Sequence, residues 1–384
     1  MAVTLPVVFL IVDWYPLNRI RSLKSFRAVC VEKLPFFALS LVSSILTILA
    51  QNAGHAIRSL DVIPFPSRVL VAAKSMIMYL WKMIMPVNLI PYYPYPKDVS
   101  FISFEYLSVI VLIAAITAAC FLAAKKHKLF LSIWGYYAIT LIPVIGIVQV
   151  GEQSMADRYT YLPSVGPFLL AGLGTAWVLT KVQTAGKRDR IYQLAAFSAA
   201  ICMVVSLAWL TLGQIALWKN GFTLWTYVIE KQPSGVPHAY NNRGNAFINS
   251  GQLDKALADY DMAIELDPRY CEAYYNRGVA YGQAGLFDNS IESFSKSLEL
   301  DPNKVDAYVN RGVSYTFTNR YDSALEDFNT ALRFNQDHDA AYVNRGKLYR
   351  KMGKPALALA DFQKACDLGN ASGCKALNAL RSVE

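Results

Sequence analysis

The C-terminal third of the sequence repeats itself with a period of 34 residues. The block YNNRG at 240–244 returns as YYNRG at 274–278, and as YVNRG at 308–312 and 342–346. A fixed period of this length is typical of solenoids, in which each repeat is one supersecondary unit that packs against its neighbours. Four units in register favour a solenoid over a helical bundle with accidental periodicity.

The residue types within the period indicate a pair of helices. With Gly244 counted as position 8, position 20 is small (Ala256, Ser290, Ala324, Ala358) and position 24 is aromatic (Tyr260, Phe294, Phe328, Phe362). Small residues let two helices approach, aromatic rings fill the space between hairpins, and Pro268 and Pro302 stop a helix. This pattern resembles that of tetratricopeptide (TPR) repeats. It predicts an all-α solenoid of four repeats over 237–370 and a capping helix over 371–384.

An arginine and an aspartate also recur within the repeats. Position 7 is Arg in every repeat, and position 23 is Asp except at Ser293. A partly buried Arg at a seam between helices requires a carboxylate. The spacing predicts three ion pairs within repeats and leaves Arg277 without a partner at position 23: Arg243–Asp259, Arg311–Asp327 and Arg345–Asp361.

Net charge separates the chain into two parts. Residues from 237 onward hold 17 basic and 19 acidic side chains, whereas the first 236 hold 20 basic and 9 acidic. The basic excess therefore lies in the apolar part, where it indicates cytoplasmic loops of a membrane protein. The repeats show no basic face, so nucleic-acid binding is not predicted.

Hydropathy predicts a polytopic transmembrane helical domain over 1–216 and an aromatic interfacial linker over 217–236. A short apolar run opens the chain and is interpreted as the end of a helix whose beginning is missing, so the sequence is expected to be truncated at its N-terminus. Residues 69–85 carry Lys74 and Lys82 and are expected at the outer interface; a membrane span is the alternative. Spans are predicted over 34–51, 105–124, 129–150, 163–180 and 192–212.

The basic loops 125–128 and 181–190 should be cytoplasmic, which makes the loop at 151–162 and the repeats external. This loop is the polar focus of the membrane part. Arg158, Tyr159, Tyr161 and Glu152 are candidates for holding a lipid-linked phosphate, because Arg grips phosphate oxygens with two donors. The alternative is a short loop in which Arg158 pairs with Asp157 or Glu152 and has no further role.

The sequence DRYTYLPS at 157–164, YPYP at 93–96 and the opening MAVTLP resemble the membrane part of bacterial TPR membrane proteins. Those in turn resemble the transmembrane-and-TPR O-mannosyltransferases, which have a GT-C glycosyltransferase fold. The resemblance implies a polyprenyl-phosphate sugar donor and a protein acceptor on the external side. The family's catalytic acid lies in a first external loop that has no counterpart here, and Asp13 should face the cytoplasm. No catalytic residue is therefore transferred, and enzymatic activity stays open.

Positions 2, 5, 9 and 12 of each repeat should line a concave groove for a protein or peptide, polar at one end, apolar in the middle and basic at the other. A peptide with an acidic end would fit this groove. Ordinary solvated surface is the alternative for each of these residues. The predicted groove comprises Asn241, Asn245, Tyr275, Val279, Val309, Val313, Lys347 and Arg350.

Six cysteines and four histidines show no metal-ligand spacing, and no cofactor motif is present. Cys366 and Cys374 stand in a stretch that resembles the disulfide-bridged hairpins of Sel1-like repeats. An external location would allow the bridge; two small buried residues in a reduced protein are the alternative.

The sequence thus predicts a membrane-anchored TPR interaction module on the external or periplasmic face of an inner or plasma membrane. A GT-C protein O-glycosyltransferase, in which the repeats present the acceptor, is the alternative function.

Overall fold

The structure is a computed structural model that describes residues 2–53, 63–96, 99–148, 153–183, 190–233 and 235–381. The chain folds as two compact units, Met1–Gln214 and Ile215–Glu384. Over these described ranges the architecture is all-α apart from one two-stranded sheet, which confirms the fold class.

The first unit consists of apolar helices, two short 3-10 helices (Ala2–Thr4 and Asp157–Thr160) and an antiparallel pair of strands. The strands are β1 (Tyr93–Pro94) and β2 (Gln153–Met155). The helices are α1 (Leu5–Trp14), α2 (Leu23–Glu32), α3 (Leu34–Ala53), α4 (Phe65–Ile84), α5 (Phe104–Ala124), α6 (Lys128–Leu141), α7 (Val165–Gln183) and α8 (Arg190–Leu217), the last of which runs into the second unit.

Three stretches within the described residues are long and apolar enough to cross a bilayer, and none of the three is buried in the unit. About 20 residues of helix match the roughly 30 Å hydrocarbon thickness. Exposed apolar side chains at this density indicate contact with lipid. The three stretches are Leu34–Gln51, Phe104–Ala124 and Phe197–Leu217; Leu5–Trp14 and Val165–Val178 are shorter apolar helices.

The prediction of one continuous span over 129–150 was wrong. Helix α6 ends at Leu141 after 14 residues and is followed by turns at 142–146. Pro143 explains this end, because proline has no backbone N–H to continue the helical hydrogen bonds and its ring crowds the preceding turn. A helix of this length covers about 21 Å, which is too short to cross alone.

Helix α4, where the sequence predicts an interfacial or re-entrant segment, is packed into the unit through one face. Leu70, Val71 and Tyr79 of that face are at most 3% exposed. Its two lysines are accommodated within the fold. Lys74 pairs with Glu105 of α5 at 2.6 Å, and Lys82 donates to the backbone carbonyls of residues 87 and 88 at 2.7 and 3.0 Å. The depth of α4 in the bilayer stays a prediction.

Asp13 is the centre of an ion cluster at the end of α1. Its side chain is 4% exposed, and its carboxylate lies 2.8 Å from the Arg19 guanidinium and 3.3 Å from Lys33 Nζ. Both cations also pair with Glu32 of α2. A buried carboxylate between two cations is structural, since each charge is compensated by its neighbours.

The second unit is a stack of antiparallel helix pairs. It begins with α9 (Gly221–Lys231), which packs on α10 and buries Val228 and Ile229, so the predicted linker contains a helix of the solenoid. The four repeats pair α10 (Pro237–Asn249) with α11 (Leu253–Leu266), α12 (Cys271–Gln283) with α13 (Phe287–Leu300), α14 (Val305–Phe317) with α15 (Tyr321–Phe334), and α16 (Asp339–Lys351) with α17 (Pro355–Asp367). Helix α18 (Ala371–Arg381) follows on α17, where the capping helix is predicted.

The glycine at position 8 of each repeat lies against the aromatic ring at position 24. A Cβ atom built on these glycines would lie 2.6–2.8 Å from the nearest ring carbon, closer than real Cβ atoms approach their neighbours. The four rings are at most 2% exposed. The close approach predicted for this position is therefore confirmed, and it fixes the distance between the two helices of each repeat. The pairs are Gly244–Tyr260, Gly278–Phe294, Gly312–Phe328 and Gly346–Phe362.

The predicted arginine–aspartate pairs are also confirmed. In three repeats, Nε and a terminal nitrogen of the Arg donate to both carboxylate oxygens of the Asp at 2.7–2.8 Å. The aspartate side chains are only 6–7% exposed. In the second repeat, Arg277 Nε donates to Ser293 Oγ at 3.2 Å instead.

A further arm of the arginine reaches the preceding repeat, which the sequence did not predict. The Nη1 atoms of Arg277, Arg311 and Arg345 donate to the side chain at position 25 of the repeat before. These acceptors are Asp261 at 2.7 Å, Ser295 at 3.0 Å and Asn329 at 2.6 Å. Each guanidinium also lies 5.4–6.0 Å from the rings at positions 4 and 11 of its own helix.

The contact between glycine and ring generates a stability prediction. Gly312→Ala should destabilise the solenoid by about 1–3 kcal/mol, because the new methyl overlaps the fully buried Phe328 ring and forces it to shift. Gly282→Ala is the matched control. Its Cβ would meet only Ser290 Oγ at 3.4 Å, so the helix preference of alanine should leave stability unchanged or slightly higher.

Urea unfolding of the two variants of the full chain, followed by far-UV circular dichroism in detergent, measures both effects. Equal urea midpoints for Gly312→Ala and Gly282→Ala would show that the contact between the two helices of the repeat relaxes around the new methyl group.

Candidate peptide groove and the 151–162 loop

A cavity of about 490 Å³ lies between α14 and α16, the first helices of repeats three and four. Val313 and Phe317 of α14 form its apolar side, and Phe328 lies beneath them. The opposite side is polar and basic. It consists of α16 side chains that lie along one side of the helix: Asn344, Lys347, Arg350 and Lys351.

Two of these cations are available to a ligand. Lys347 and Arg350 are exposed, and no acidic side chain of the described residues pairs with either of them. Lys351 differs, because its Nζ donates to the Thr316 carbonyl at 3.0 Å and to Asn319 Oδ1 at 3.2 Å. Lys351 therefore joins α16 to the turn of the preceding repeat, whereas Lys347 and Arg350 supply uncompensated positive charge.

Asn344 adds a polar group to the same wall. In the second and third repeats the Asn at this position donates to the residue at position 5 of the repeat before, as Asn276 does to Asn241 and Asn310 to Tyr275. For Asn344 that residue is Val309, whose side chain offers no acceptor. The amide of Asn344 therefore faces the cavity and can bond a peptide backbone.

The structure separates the predicted groove residues into three groups. Val313, Lys347 and Arg350 line the cavity together. Asn241 and Val309 are wrong as groove residues, because each is only 4% exposed and lies within the packing between repeats. Asn245 and Tyr275 are engaged in hydrogen bonds with Tyr260 and Asn310, and Val279 packs against the core around Phe294.

Phe317, like Asn344, is a cavity residue that sequence reasoning missed. It is 58% exposed and stacks on Phe287 of the preceding repeat, with ring centroids 4.4 Å apart. A signal was present: position 13 is Asn249, Gln283 and Lys351 in the other repeats and is apolar only here. The ring at this otherwise polar position adds apolar surface to the cavity.

In the first unit, the 151–162 loop is organised around Asp157. Tyr93 Oη of β1 donates to both Asp157 carboxylate oxygens, at 3.1 and 3.3 Å. Burial raises the pKa of Asp157 to about 6, while the hydrogen bond from Tyr93 and the nearby Lys82 charge oppose the shift. The same burial, together with the carboxylate, raises the pKa of Tyr93. Asp157 thus ties the loop to β1.

Arg158 is exposed next to this half-buried carboxylate, and the alternative pairing of Arg158 with Asp157 is not what the structure shows. Its guanidinium lies 5.1 Å from the centroid of the Tyr159 ring, and Nη1 lies 3.5 Å from the Pro91 carbonyl. Gln153 Nε2 donates to Tyr159 Oη at 2.6 Å and holds that ring in place. Tyr161 is 78% exposed and lies on the same short segment. Glu152, the fourth predicted residue, lies outside the described residues.

Cys366 and Cys374 are joined in a disulfide, with Cα atoms 4.6 Å apart. The bridge links the last turn of α17 to α18 across Gly369, whose φ of 88° only glycine adopts readily. Gly373 lies against the Ala365 backbone, so the two helices meet closely at this end of the solenoid.

Comparison with protein families agrees with the geometry of the second unit. Family models described as TPR repeat and tetratricopeptide repeat match residues 244–285, 271–304 and 309–372. The repeat region is a TPR solenoid. Among solved structures, the chain is similar to MamA (22% identity, TM-score 0.36, 38% of this chain and 86% of that one). It is also similar to the TPR domain of Arabidopsis OM64 (27% identity, TM-score 0.30, 31% and 98%).

Among curated proteins, the chain is similar to the protein O-mannosyl-transferase Tmtc2 of Drosophila melanogaster. The two are 27% identical over 151 residues, which are 39% of this chain and 15% of that protein. The chain therefore aligns with a small fraction of the length of this relative. The match agrees with the resemblance stated from the sequence: a TPR membrane protein like those of the transmembrane-and-TPR O-mannosyltransferase family.

Proposed function

We propose that this chain is a membrane-anchored peptide receptor whose TPR solenoid binds acidic segments of other proteins. The observation that carries the proposal is the cavity between α14 and α16, with an apolar wall and two uncompensated cations. TPR helices present such grooves to extended or helical peptides. The apolar helices of the first unit hold the receptor at the bilayer.

The walls of the cavity define the ligand. Val313 and Phe317 offer a surface for one apolar side chain of about the size of leucine. Lys347 and Arg350 lie one turn apart on α16 and favour carboxylates, and Asn344 can bond the peptide backbone between them. A short peptide with a leucine flanked by aspartate or glutamate satisfies all three contacts.

Lys347→Ala should weaken the binding of such a peptide about tenfold, because one charge-assisted contact of about 1.4 kcal/mol is lost. Lys364→Ala is the matched control, since Lys364 is an exposed lysine of α17 outside the cavity. Fluorescence anisotropy of a labelled heptapeptide, Glu-Asp-Leu-Glu-Asp-Ser-Glu, with the full chain in detergent measures both variants.

A neutral version of the same peptide, with Gln and Asn at the acidic positions, completes the experiment. Equal affinity for the neutral peptide, or an equal loss in Lys364→Ala, would show that Lys347 does not contact the ligand.

The solenoid is proposed to face an external or periplasmic compartment. The support is twofold: the basic loops at 125–128 and 181–190 favour a cytoplasmic position, and a disulfide such as Cys366–Cys374 persists in oxidising compartments. Thiol titration of native protein, unfolded with and without reductant, should reveal two additional thiols only after reduction. Reactivity of both cysteines before reduction would argue for a cytoplasmic solenoid.

A second function is proposed for the 151–162 loop, on the strength of the match to Tmtc2. Arg158 is exposed and supported by Tyr159, so its guanidinium can bind the phosphate of a polyprenyl-phosphate sugar. A transferase also requires a carboxyl group at the acceptor hydroxyl. Asp157 is the half-buried carboxyl next to Arg158, but its two oxygens already accept the hydrogen bond from Tyr93.

Arg158→Ala should reduce the retention of radiolabelled polyprenyl-phosphate mannose on the immobilised full chain about tenfold, and Arg158→Lys should be intermediate because it keeps charge but loses the planar fork. The urea midpoint of the solenoid should not change, since repeat arrays unfold through local contacts. We expect binding without transfer to a Ser/Thr-rich acceptor. Label on the acceptor above a control without protein would establish the transferase instead.

A further inference from the structure

A second cavity, of about 790 Å³, opens in the first unit at the end of the apolar helix α5. It lies between the segment after α1, the connection from α5 to α6, and one side of α7. We call it the basic cleft. One wall carries Lys126, His127 and Lys128, and the other carries Leu170, Leu173 and Trp177.

The basic wall is held in a defined geometry. Lys128 Nζ donates to Asn18 Oδ1 at 3.4 Å and lies 5.5 Å from the centre of the Trp14 ring. Asn18 adopts a left-handed backbone conformation with a φ of 51°, and its amide nitrogen donates to the Pro16 carbonyl at 3.1 Å. Lys128 is therefore anchored to the segment after α1, and its charge is fixed at the edge of the cleft.

No acidic side chain of the described residues lines the basic cleft. Asp13, the carboxylate of the adjacent helix α1, is already paired with Arg19 and Lys33. Lys126 is exposed and has no carboxylate partner within the described part of the chain. The two lysines thus leave about two positive charges without compensation, and an anion is the complementary ligand.

The opposite wall demands a ligand that is also apolar. Leu173 and Trp177 are 45% and 63% exposed on α7, and a Cβ on Gly174 would meet nothing within 4 Å. This open strip continues along the apolar stretch Val165–Val178. A soluble anion would leave the strip uncovered, whereas a ligand with a hydrocarbon chain would cover it.

The position of the cleft along the membrane normal agrees with such a ligand. The apolar stretch Phe104–Ala124 ends two residues before Lys126. Lysines directly after a span lie at the level of the lipid head groups, where anionic lipids raise the local negative charge. A lipid in the bilayer would therefore place its phosphate at the lysines and its acyl chain along α7.

We propose that the basic cleft is a binding site for an anionic phospholipid of the leaflet at the 125–128 loop. Lys126 and Lys128 hold its phosphate, and Leu170, Leu173 and Trp177 contact the first part of an acyl chain. This lipid site is separate from Arg158 in sequence and in the residues that form it. Its occupancy ties α7 to the end of α5 and to the segment after α1.

Native mass spectrometry of the full chain in detergent tests the proposal, after delipidation and titration with phosphatidylglycerol or phosphatidylcholine. Phosphatidylglycerol should be retained preferentially, and Lys126→Ala should weaken that retention about fivefold, the loss expected for one basic residue at an anionic surface. Lys125→Ala is the matched control, because Lys125 is an exposed neighbouring lysine that does not line the cleft. Trp177→Ala should reduce the retention of phosphatidylglycerol with long acyl chains more than that of its dihexanoyl analogue.

Three results would overturn the proposal. Equal retention of phosphatidylcholine and phosphatidylglycerol would show that the cleft has no preference for an anion. An equal loss in Lys125→Ala and Lys126→Ala would assign the effect to general surface charge. Displacement of phosphatidylglycerol by millimolar inorganic phosphate would identify a site for soluble anions.

Discussion

The solenoid depends on the ion pair and hydrogen bonds that the arginine at position 7 makes with two successive repeats. Its Nε and Nη2 atoms bind the carboxylate of the same repeat, and its Nη1 atom binds the repeat before, as in Arg311 with Asp327 and Ser295. A single side chain therefore fixes both the angle within a hairpin and the stacking between hairpins. Removing one partner would strand a buried charge at a cost of about 3–5 kcal/mol. Aromatic rings on either side of the guanidinium exclude water and strengthen the pair.

Of the two contacts of this arginine, the sequence predicts only the one with position 23, because the residue type there is nearly constant. Asp recurs at position 23, so its pairing with Arg could be inferred from spacing alone. Position 25 holds Asp261, Ser295 and Asn329, which share only the ability to accept a hydrogen bond. A pattern of residue types does not reveal that common property. Arg277 shows the consequence: it lacks an Asp at position 23 and still has a carboxylate partner in Asp261.

The membrane part was less predictable because its decisive contacts join distant segments. Asp157 and Tyr93 are 64 residues apart, and neither belongs to a repeat. Sequence reasoning therefore singled out Arg158, whose chemistry is visible from its residue type, and missed the role of the carboxyl beside it. The short helix α6 is a different case. The prediction of a span over 129–150 rests on hydropathy alone, and hydropathy does not register the effect of Pro143 on the helix.

Charge compensation follows the same physical rule in both units. In the solenoid most position-7 arginines are neutralised by their own repeat, so the nearly balanced charge of this region conceals a local excess at Lys347 and Arg350. In the first unit Asp13, Glu32 and Glu105 neutralise basic residues that lie where helices meet. Lys347, Arg350 and Lys126 stay uncompensated and lie at cavities, where attraction to an anion is not cancelled by a neighbour. Net charge alone would assign anion binding to the basic first part of the chain. The pattern of ion pairs instead leaves unpaired cations in both units.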